Sequence, residues 1–417
     1  MSGYALREGP AVGVHDDLYA RALYLRDLEG EEFSVVVADI LGIDGDLYRE
    51  IANRVEQELG LSPKNLVVLG THTHSGPAFQ AHWANVETSI LREIFVRKIV
   101  GVLTAAKGKL VEVKVTSGVG EVRDTIVNRR DPEKGLVDPR VHVIAFYQNG
   151  YLETILSSYA CHAVVLGANN RLISADYPGA LNKTVENLTG AFSIFLNGTC
   201  GDINPLTPRT VLERVYDRNV GTFEEVEWMG KILACEVVKL ALSKKGKVSE
   251  TNLVHSYVEA NLKVKCPYSL DEAEKMVIKA EEAAKRAKSI SKEEYRRALL
   301  ELYYARAILY KTKKYHRKRE ISMLIHGLAL TREVALVFLP SEVLVEIGLK
   351  IKENSPFQNT IVASYANDYF GYIAPSSEFP KGGYEVKYPT NILERGEGDK
   401  LVELSLKVLR ELFQAFT

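Results

Sequence analysis

Residues 65–78 read Asn-Leu-Val-Val-Leu-Gly-Thr-His-Thr-His-Ser-Gly-Pro-Ala, an apolar run that ends in two alternating histidines. The run predicts a short buried strand. Side chains two positions apart in an extended chain point to the same side, so His72 and His74 can face one cavity before Gly76 and Pro77 turn the chain away. Imidazole is a common zinc ligand and the usual general base near neutral pH. Taken alone, the pair could equally be two ordinary loop histidines.

The segment before this strand predicts how the fold begins. Phe33 to Ala38 is a Val-rich run typical of a buried strand, and Asp46 precedes an amphipathic helix that stops at Gly60. Strand, helix and strand in this order predict a parallel pair with a right-handed crossover. Ligands in such sheets gather at the carboxyl ends of the strands, where Asp39 and His72 fall. The sequence therefore predicts an α/β fold with mixed β-sheets, flanking helices and a metal site at the C-terminal ends of strands.

Later strand ends carry further candidate side chains. A hairpin predicted at 141–159 around the turn Asn149-Gly150 leads to His162. A single histidine in such a place is more often structural than a ligand. The buried-type strand 334–339 ends just before Glu342, and the next predicted strand runs into a tyrosine-rich segment. Each candidate therefore shares the placement of His72 at the end of an apolar strand.

The rest of the chain reads as alternating helices and strands. Helices are predicted at 87–106, 223–242 and 400–415, and the alternating Val111, Val113 and Val115 predict a strand. The region 269–316 is dense in Lys, Arg, Glu and Ala, and capping-box patterns begin at Ser269 and Ser291. It predicts a helical hairpin inserted into a single domain that covers residues 1–417. The charged face of the hairpin is most simply solvated, with a lid or a dimer contact as alternatives.

Composition limits the classes of function. Lys plus Arg is 53 and Asp plus Glu is 54, which gives a formal net charge of -1, so nothing favours nucleic acid or an anionic membrane as a partner. A small molecule is the expected partner, and a homo-oligomer is possible. The four cysteines lie far apart, which argues against a disulfide framework. The absence of a signal-like segment or a membrane-length apolar run predicts a cytoplasmic chain without stable membrane insertion.

A catalytic zinc site needs about four N or O donors, often from separate elements, with one position left for water. Two histidines and one glutamate form a known set of this kind, and the candidates here are His72, His74, His162 and Glu342. Tyrosine is a rarer ligand, so the tyrosines near residue 372 would not be chosen on spacing alone. Asp39 and Asp176 are candidates for carboxylates that orient the imidazoles, although they could equally cap strand ends.

These motifs resemble the neutral/alkaline, non-lysosomal ceramidases, zinc amidases that hydrolyse the N-acyl bond of ceramide. The matched stretches occur in order along most of the chain: Thr71–Pro77, Asn128-Arg129, His162 with Leu172–Asp176, Leu339–Glu342, and Asn367–Ile373 with Tyr384. The resemblance implies a short form of the catalytic domain that binds Zn²⁺. Its implied roles are a metal set of His72, His162, Glu342 and Tyr372, His74 as acid/base, Tyr384 on the substrate carbonyl, and Arg129 lining the site.

Two departures bear on the substrate. Where the family carries a Ser implicated in catalysis, this chain has Asn204, which cannot be a nucleophile but could orient a substrate. The C-terminal immunoglobulin-like domain and the signal peptide usual in that family are also absent. The expected reaction is therefore zinc-dependent hydrolysis of an amide in a small N-acyl compound other than ceramide. The alternatives are an esterase or peptidase that uses the same site, or a metal-binding or small-molecule-binding protein that has lost the chemistry.

Overall fold

The computed structural model describes residues 1–417 except Leu6, Glu8, 80–87, 216–220, 244–250 and Thr417. The helices among the described residues are α1 (Gly45–Leu59), α2 (Ser89–Lys107), α3 (Asp176–Thr189), α4 (Phe223–Ser243), α5 (Leu270–Ala287), α6 (Lys292–Tyr315), α7 (Val345–Glu353) and α8 (Glu397–Gln414). The strands are β1 (Gly13–Val14), β2 (Ala20–Arg26), β3 (Glu32–Ala38), β4 (Leu66–Gly70), β5 (Lys114–Glu121), β6 (Ile126–Asn128), β7 (Arg140–Gln148), β8 (Tyr151–Tyr159), β9 (Leu172–Ile173), β10 (Phe192–Asn197), β11 (Ile203–Pro205), β12 (Val254–Lys263), β13 (Glu320–Thr331), β14 (Val334–Phe338), β15 (Glu342–Val343), β16 (Asn359–Ala363) and β17 (Tyr372–Ile373).

Three mixed sheets form the body, and each contains one parallel pair of strands. Their strand orders are β2-β3-β4, β10-β8-β7-β5 and β12-β13-β14-β16. The parallel pairs are β3 with β4, β8 with β10, and β14 with β16, whereas the other neighbours in these sheets are antiparallel. The predicted α/β fold with mixed sheets and flanking helices is therefore confirmed.

One buried cluster joins the three sheets. It contains aliphatic side chains from every parallel pair, among them Leu69 of β4, Leu156 of β8, Leu196 of β10, Leu336 of β14 and Ile361 of β16. An isolated bridge between Leu69 and Ala366 links the ends of two of these sheets directly. The sheets thus pack against one another closely enough for the segments that follow their strands to meet.

The first crossover helix shows why the chain folds locally as it does. The Asp44 carboxylate accepts a hydrogen bond from the Leu47 amide at 2.8 Å, and Gly60 ends α1 with a left-handed φ of 70°. The sequence placed the start of this helix after Asp46, but the cap at Asp44 satisfies one of the free first-turn amides and starts the helix earlier. Its apolar face is buried, so β3 and β4 become parallel neighbours as predicted.

The predicted helical hairpin is present as α5 and α6. Ser269 and Glu272 form the complete reciprocal capping box, whereas Ser291 only accepts from the Glu294 amide. The two helices pack through small side chains, and Arg306 donates to Glu281 at 2.9 Å between them. Most charged residues of α5 and α6 are exposed, as predicted for a solvated face, whereas the opposite face of α6 is buried through residues such as Ala305 and Ile308. The assignment of 1–417 to one domain stays a prediction.

Other predictions differ in detail from the structure. Val111 is exposed and strand β5 begins only at Lys114, so of the three alternating valines only Val115 lies in the sheet. The turn Asn149-Gly150 is confirmed, with φ values of 49° and 82° that suit a tight hairpin. Helix α2 begins at Ser89, and residue 87 of the predicted helix lies outside the described residues. No helix in the described part has the length and apolar character of a membrane span; the cytoplasmic location stays a prediction.

Candidate metal centre and active site

The three parallel pairs bring three of the predicted ligands to one point. His72 follows β4, His162 follows β8, and Glu342 follows β14, and their exposed fractions are only 0%, 1% and 4%. The Glu342 Oε2 atom lies 3.6 Å from His72 Nε2 and 3.2 Å from His162 Nε2. The structure therefore unites His72, His162 and Glu342, which are far apart in sequence.

Backbone carbonyls orient both buried imidazoles. The Nδ1–H of His72 donates to Leu41 O at 2.7 Å, and that of His162 donates to Cys200 O at 2.6 Å. His72 also stacks on the ring of Tyr365, with 4.0 Å between centroids and 16° between planes. Because Nδ1 carries the hydrogen in each ring, Nε2 is left with a lone pair that points toward Glu342.

Of the two roles left open for Asp39 and Asp176, the structure shows the capping of backbone amides and not the orientation of imidazoles. Asp39 accepts from the Tyr19 amide at 2.9 Å, and Asp176 accepts from the amides of Val165 and Leu166 at 3.2 and 3.0 Å. Both aspartates therefore hold backbone segments beside the site. Backbone carbonyls orient the Nδ1 atoms of His72 and His162 instead. No side-chain pattern in the sequence could reveal these contacts.

The donor set fits a tetrahedral metal ion. Zinc bonds of about 2.0–2.2 Å place tetrahedral donors roughly 3.3–3.5 Å apart, which is close to the 3.2 and 3.6 Å separations from Glu342 Oε2. Two imidazole lone pairs and a carboxylate oxygen are all acceptors, so they can converge only with a cation or protons between them. His72, His74 and His162 also form a group whose ring nitrogens lie within 4.8 Å of one another and could hold a metal.

His74 differs from the two buried histidines. It is partly exposed, and its Nε2 lies 3.2 Å from His72 Nε2. By distance it could complete the donor set, but the contact of Glu342 with both buried imidazoles makes the glutamate the better third ligand. His74 then sits at the edge of the metal position, where a proton carrier would stand.

The electrostatics suit metal binding at neutral pH. Burial, aided by the Arg129 charge, lowers the pKa of His162 to about 4. Burial by itself would raise the pKa of Glu342, but the neighbouring His72 and His162 hold that pKa well below its usual range. An uncharged imidazole and an ionised carboxylate are the states in which these groups bind metals.

A cluster of tyrosines borders the same centre. Strands β15 and β17 pair Glu342 with Tyr372 in register, and the Tyr372 hydroxyl lies 3.4 Å from that of Tyr384. Burial raises the pKa of both phenols, so each remains a neutral hydrogen-bond donor at neutral pH. The hydroxyl of Tyr369 donates to Glu342 Oε1, the oxygen that does not face the histidines. The role of Tyr372 as a metal ligand stays a prediction.

Arg129 occupies the centre of a hydrogen-bond network. Its guanidinium donates to Glu385 Oε1 at 3.1 Å, Asn204 Oδ1 at 3.2 Å, Gly201 O at 2.7 Å and the Tyr372 hydroxyl at 3.0 Å. The Asn204 amide in turn donates to Val215 O at 2.7 Å. The structure thus brings Arg129 and Asn204 to the site as predicted, but both are engaged with the protein itself.

Comparison with known proteins agrees with these motifs. Residues 1–207 match the family model described as neutral/alkaline non-lysosomal ceramidase, N-terminal, and the whole chain superimposes on a solved structure described as ceramidase complexed with C2. Over residues 1–207 this chain matches the neutral/alkaline ceramidase family. The resemblance inferred from the sequence motifs is confirmed.

Individual ceramidases align over about half of this chain. The neutral ceramidase of Pseudomonas aeruginosa is 27% identical over 229 residues, which are 49% of this chain and 34% of that protein. The neutral ceramidase of Drosophila melanogaster is 24% identical over 235 residues, again 49% of this chain and 33% of the relative. The aligned region therefore spans about a third of the length of these curated relatives.

The ceramidase fold extends over the complete chain. The complex with C2 has a TM-score of 0.75 at 17% identity and covers 100% of this chain and 73% of the other. The crystal structure of the Pseudomonas aeruginosa neutral ceramidase has a TM-score of 0.72 at 18% identity and covers 99% and 72%. At such identities the superpositions show the fold alone.

Sequence reasoning missed two aromatic residues of this centre. Tyr365 stacks on His72, and Tyr369 supports Glu342. Both lie in or beside the tyrosine-rich segment that follows β16, so their proximity to the site could have been expected. Their individual contacts depend on left-handed turns at Ser341 and Tyr365, for which neither residue type is a signal.

Proposed function

We propose that this protein is a zinc-dependent hydrolase that cleaves the amide bond of a small N-acyl compound. One observation carries the proposal: two buried imidazole lone pairs and a carboxylate oxygen converge at 3.2 and 3.6 Å. The relatives, which are named neutral ceramidases, support an amide as the bond that is cleaved. An ester or a peptide bond would make the same demands on these side chains.

His72, His162 and Glu342 would hold the metal, with Tyr372 as the proposed fourth protein ligand. A bound Zn²⁺ would supply Lewis-acid chemistry, which makes water ionise near neutral pH and polarises a carbonyl group. The carbonyl bonds on the two Nδ1 atoms keep the imidazole rings in one tautomer, so the ligand set is preorganised. Tyr369 keeps the Glu342 carboxylate turned toward the histidines.

His74 is the proposed proton carrier. Burial, together with the nearby His72 and His162, holds its pKa well below the usual range, so the ring is uncharged at neutral pH and can accept a proton from the attacking water. The same ring can return that proton to the leaving amine. Its partly exposed position at the edge of the donor set suits contact with both water and substrate.

The phenols are the proposed stabilisers of the developing oxyanion. Tyr384 and Tyr372 are neutral donors whose hydroxyls lie 3.4 Å apart beside Glu342, and a donor aimed at the position of developing charge lowers the barrier. Arg129 bonds Tyr372 and lies 5.2 Å from the Tyr384 ring centroid. We therefore assign Arg129 to positioning these phenols, and Asn204 to positioning Arg129, in addition to lining the substrate site.

A substrate of modest size is proposed because helix α6 of the inserted hairpin contacts the tyrosine-rich segment beside the site. Burial raises the pKa of Tyr303 on α6 to about 12, and Glu342 is near enough to contribute to that shift. Lys311 of the same helix donates to Phe370 O at 3.1 Å, inside the tyrosine-rich segment. The names of the relatives make ceramide the competing substrate, so the assay must include it.

The test combines metal analysis with a substrate panel. We expect about one zinc per chain, loss of most zinc in His72→Ala and His162→Ala, and retention of zinc in His74→Ala with turnover reduced by about 10²- to 10⁴-fold. His255→Ala, on β12 beside Glu31, is the control histidine variant. The panel contains short and long N-acyl amines, N-acetyl sugars, ceramide and matched esters.

Two outcomes would refute the proposal. One is wild-type protein that contains no zinc after purification with zinc present. The other is zinc-loaded protein that turns over no amide in the panel. The second result would leave a metal-binding protein without hydrolytic chemistry, and turnover of esters alone would identify an esterase.

A further inference from the structure

We propose that the N-terminal arm, defined as residues Ser2–Ala5 with Arg7, is a positioning element that fixes the imidazole of His74. The arm lies across the loop that follows His72. The Ser2 amide donates to Gly76 O at 3.1 Å, and the Ser2 hydroxyl donates to Pro77 O at 3.3 Å. The consequence for catalysis rests on the proposed function of His74, whereas the placement of the ring does not.

His74 lacks the kind of support that the two buried histidines receive. The Nδ1 atoms of His72 and His162 each donate to a backbone carbonyl. The Nδ1 atom of His74 is buried and has no hydrogen-bond partner within the part of the chain that the structure describes. Packing must therefore hold the Nδ1 side of this ring.

Gly3 supplies one wall of that packing. A Cβ atom built on Gly3 would lie 2.4 Å from Cγ, 2.5 Å from Nδ1 and 2.6 Å from Cβ of His74. These separations are far inside van der Waals contact, so only a glycine can approach the ring at this point. Tyr4 forms a second wall, with its ring centroid 5.0 Å from that of His74 in an edge-on arrangement.

Arg7 ties this arm to both loops of the site. Its guanidinium donates to His74 O at 2.7 Å, to Asn170 O at 3.0 Å and to Ser2 O at 2.7 Å. Tyr4 adds a hydrogen bond from its hydroxyl to Leu166 O at 2.9 Å. Asn170 and Leu166 belong to the loop after His162, so the arm clamps the proton carrier between the segments that deliver the two buried ligands.

The contact geometry predicts a specific loss of activity in Gly3→Ala. Gly3→Ala forces the methyl group into the His74 ring, which must rotate or shift by several tenths of an ångström or more. The three atoms nearest to the added Cβ all belong to His74 and none to His72, His162 or Glu342, so the metal site should survive. A misplacement of about 1 Å in a reacting group can cost roughly 10²-fold in rate. We therefore expect kcat to fall about 10²-fold with little change in KM and an unchanged zinc content.

Gly30 provides a closely matched control. Its φ of 96° nearly equals the 97° of Gly3, so alanine suffers the same backbone strain at both positions. An added Cβ at Gly30 meets nothing within 4 Å. Gly30→Ala should therefore match wild type in kcat within about twofold, and any excess effect of Gly3→Ala comes from the contact with His74.

A second measurement does not need activity. Diethyl pyrocarbonate modifies accessible imidazoles, and peptide mass spectrometry reports the rate at His74 alone. We expect faster modification of His74 in Gly3→Ala and in Arg7→Met, which removes three hydrogen bonds without adding bulk, and the wild-type rate in Gly30→Ala. If the enzyme proves inactive on every substrate, the modification rate of His74 still tests the positioning role.

Three results would overturn the inference. Gly3→Ala and Gly30→Ala could behave alike in both measurements. Arg7→Met could leave the modification rate of His74 unchanged while remaining folded by circular dichroism, which also covers the case that Gly3→Ala fails to fold. Finally, either arm variant could lose zinc in proportion to its activity, which would make the arm a support of the metal ligands rather than of His74.

Discussion

Replacing Arg129 by methionine should destabilise the fold strongly, because this side chain is a buried cation that donates hydrogen bonds to several groups at the candidate site. The side chains of Arg129 and Glu385 are only 5% and 0% exposed. Methionine keeps the approximate length and removes the charge together with the hydrogen bonds to Glu385, Asn204, Gly201 and Tyr372.

The size of the effect follows from what remains. Removing one partner of a buried ion pair costs about 3–5 kcal/mol, because the other charge is left without compensation. Glu385 keeps its bond to Arg130 at 2.6 Å, which places that cost near the lower limit. The carbonyl of Gly201 and the amide oxygen of Asn204 lose a donor as well, at about 1–3 kcal/mol each if nothing replaces it. Because such losses are not additive among neighbours, we expect a total of about 3–5 kcal/mol.

Urea denaturation at pH 7 and 25 °C measures this difference in the free energy of unfolding. Arg129→Lys keeps the charge but cannot reproduce the forked geometry, so it should lose less than Arg129→Met. Arg26→Met is the surface control, since Arg26 is 48% exposed and lies 3.9 Å from Glu32, and it should change stability by less than about 0.5 kcal/mol. A loss below about 1 kcal/mol for Arg129→Met would refute the reasoning. Adding Glu385→Gln should recover part of the loss if the unpaired carboxylate causes it.

Three further predictions concern groups away from the metal position. Burial lowers the pKa of Lys311 to about 7, below its value in the unfolded chain, so the unfolded state binds more protons and the free energy of unfolding should rise between about pH 7 and pH 10. Urea titrations across this range should show the rise in wild type and a flat profile in Lys311→Met; equal slopes would contradict the assignment. Lys352 and Asp138 form a buried pair 2.8 Å apart, so Lys352→Met should lower the free energy of unfolding by about 3 kcal/mol, near the lower limit for a buried pair because Arg140 still bonds the carboxylate. In a double-mutant cycle, Asp138→Asn in the same chain should reduce that loss. Iodoacetamide should label the exposed Cys235 in the native protein and spare the buried Cys200 until urea unfolds the chain; labelling of both at one rate would show that the site opens readily.

The strand ends could be predicted from the sequence because their signals are local. A run of strand-forming residues followed by a histidine or an acidic residue is visible within about ten positions, and β4, β8 and β14 follow that pattern. The rule that ligands gather at the carboxyl ends of strands then brings His72, His162 and Glu342 together without knowledge of the sheet order.

The hydrogen-bond partners could not be predicted in this way, because they depend on contacts across long stretches of chain. Arg129 is paired with Glu385, 256 positions away, and with Asn204, 75 positions away. The resemblance implied only that Arg129 lines the site, and the network shows that its guanidinium is already engaged with the protein. Gly3 is a similar case, because the need for glycine arises from His74 and not from a turn.

The backbone at the site shows the same division between local and distant causes. Asn149 has a left-handed φ of 49°, which the sequence predicts because Asn-Gly is the preferred pair for a tight hairpin. His72, Ser341 and Tyr365 have left-handed φ values of 67°, 77° and 65°, and of these three residue types only His is enriched in that region. Each such residue costs of order 1–3 kcal/mol and persists only where its surroundings compensate.

That compensation comes from other strand ends. The His72 amide bonds Ile40 O beyond β3, the Ser341 amide bonds Asp368 O, and the Tyr365 amide bonds Ser341 O. Each left-handed turn is therefore stabilised by a segment that a different part of the chain delivers. Since these turns direct His72 and Glu342 inward, the metal site depends on the assembled sheets. Isolated segments of this chain should therefore relax at these three residues and lose the arrangement of ligands, however well their individual strands and helices are encoded.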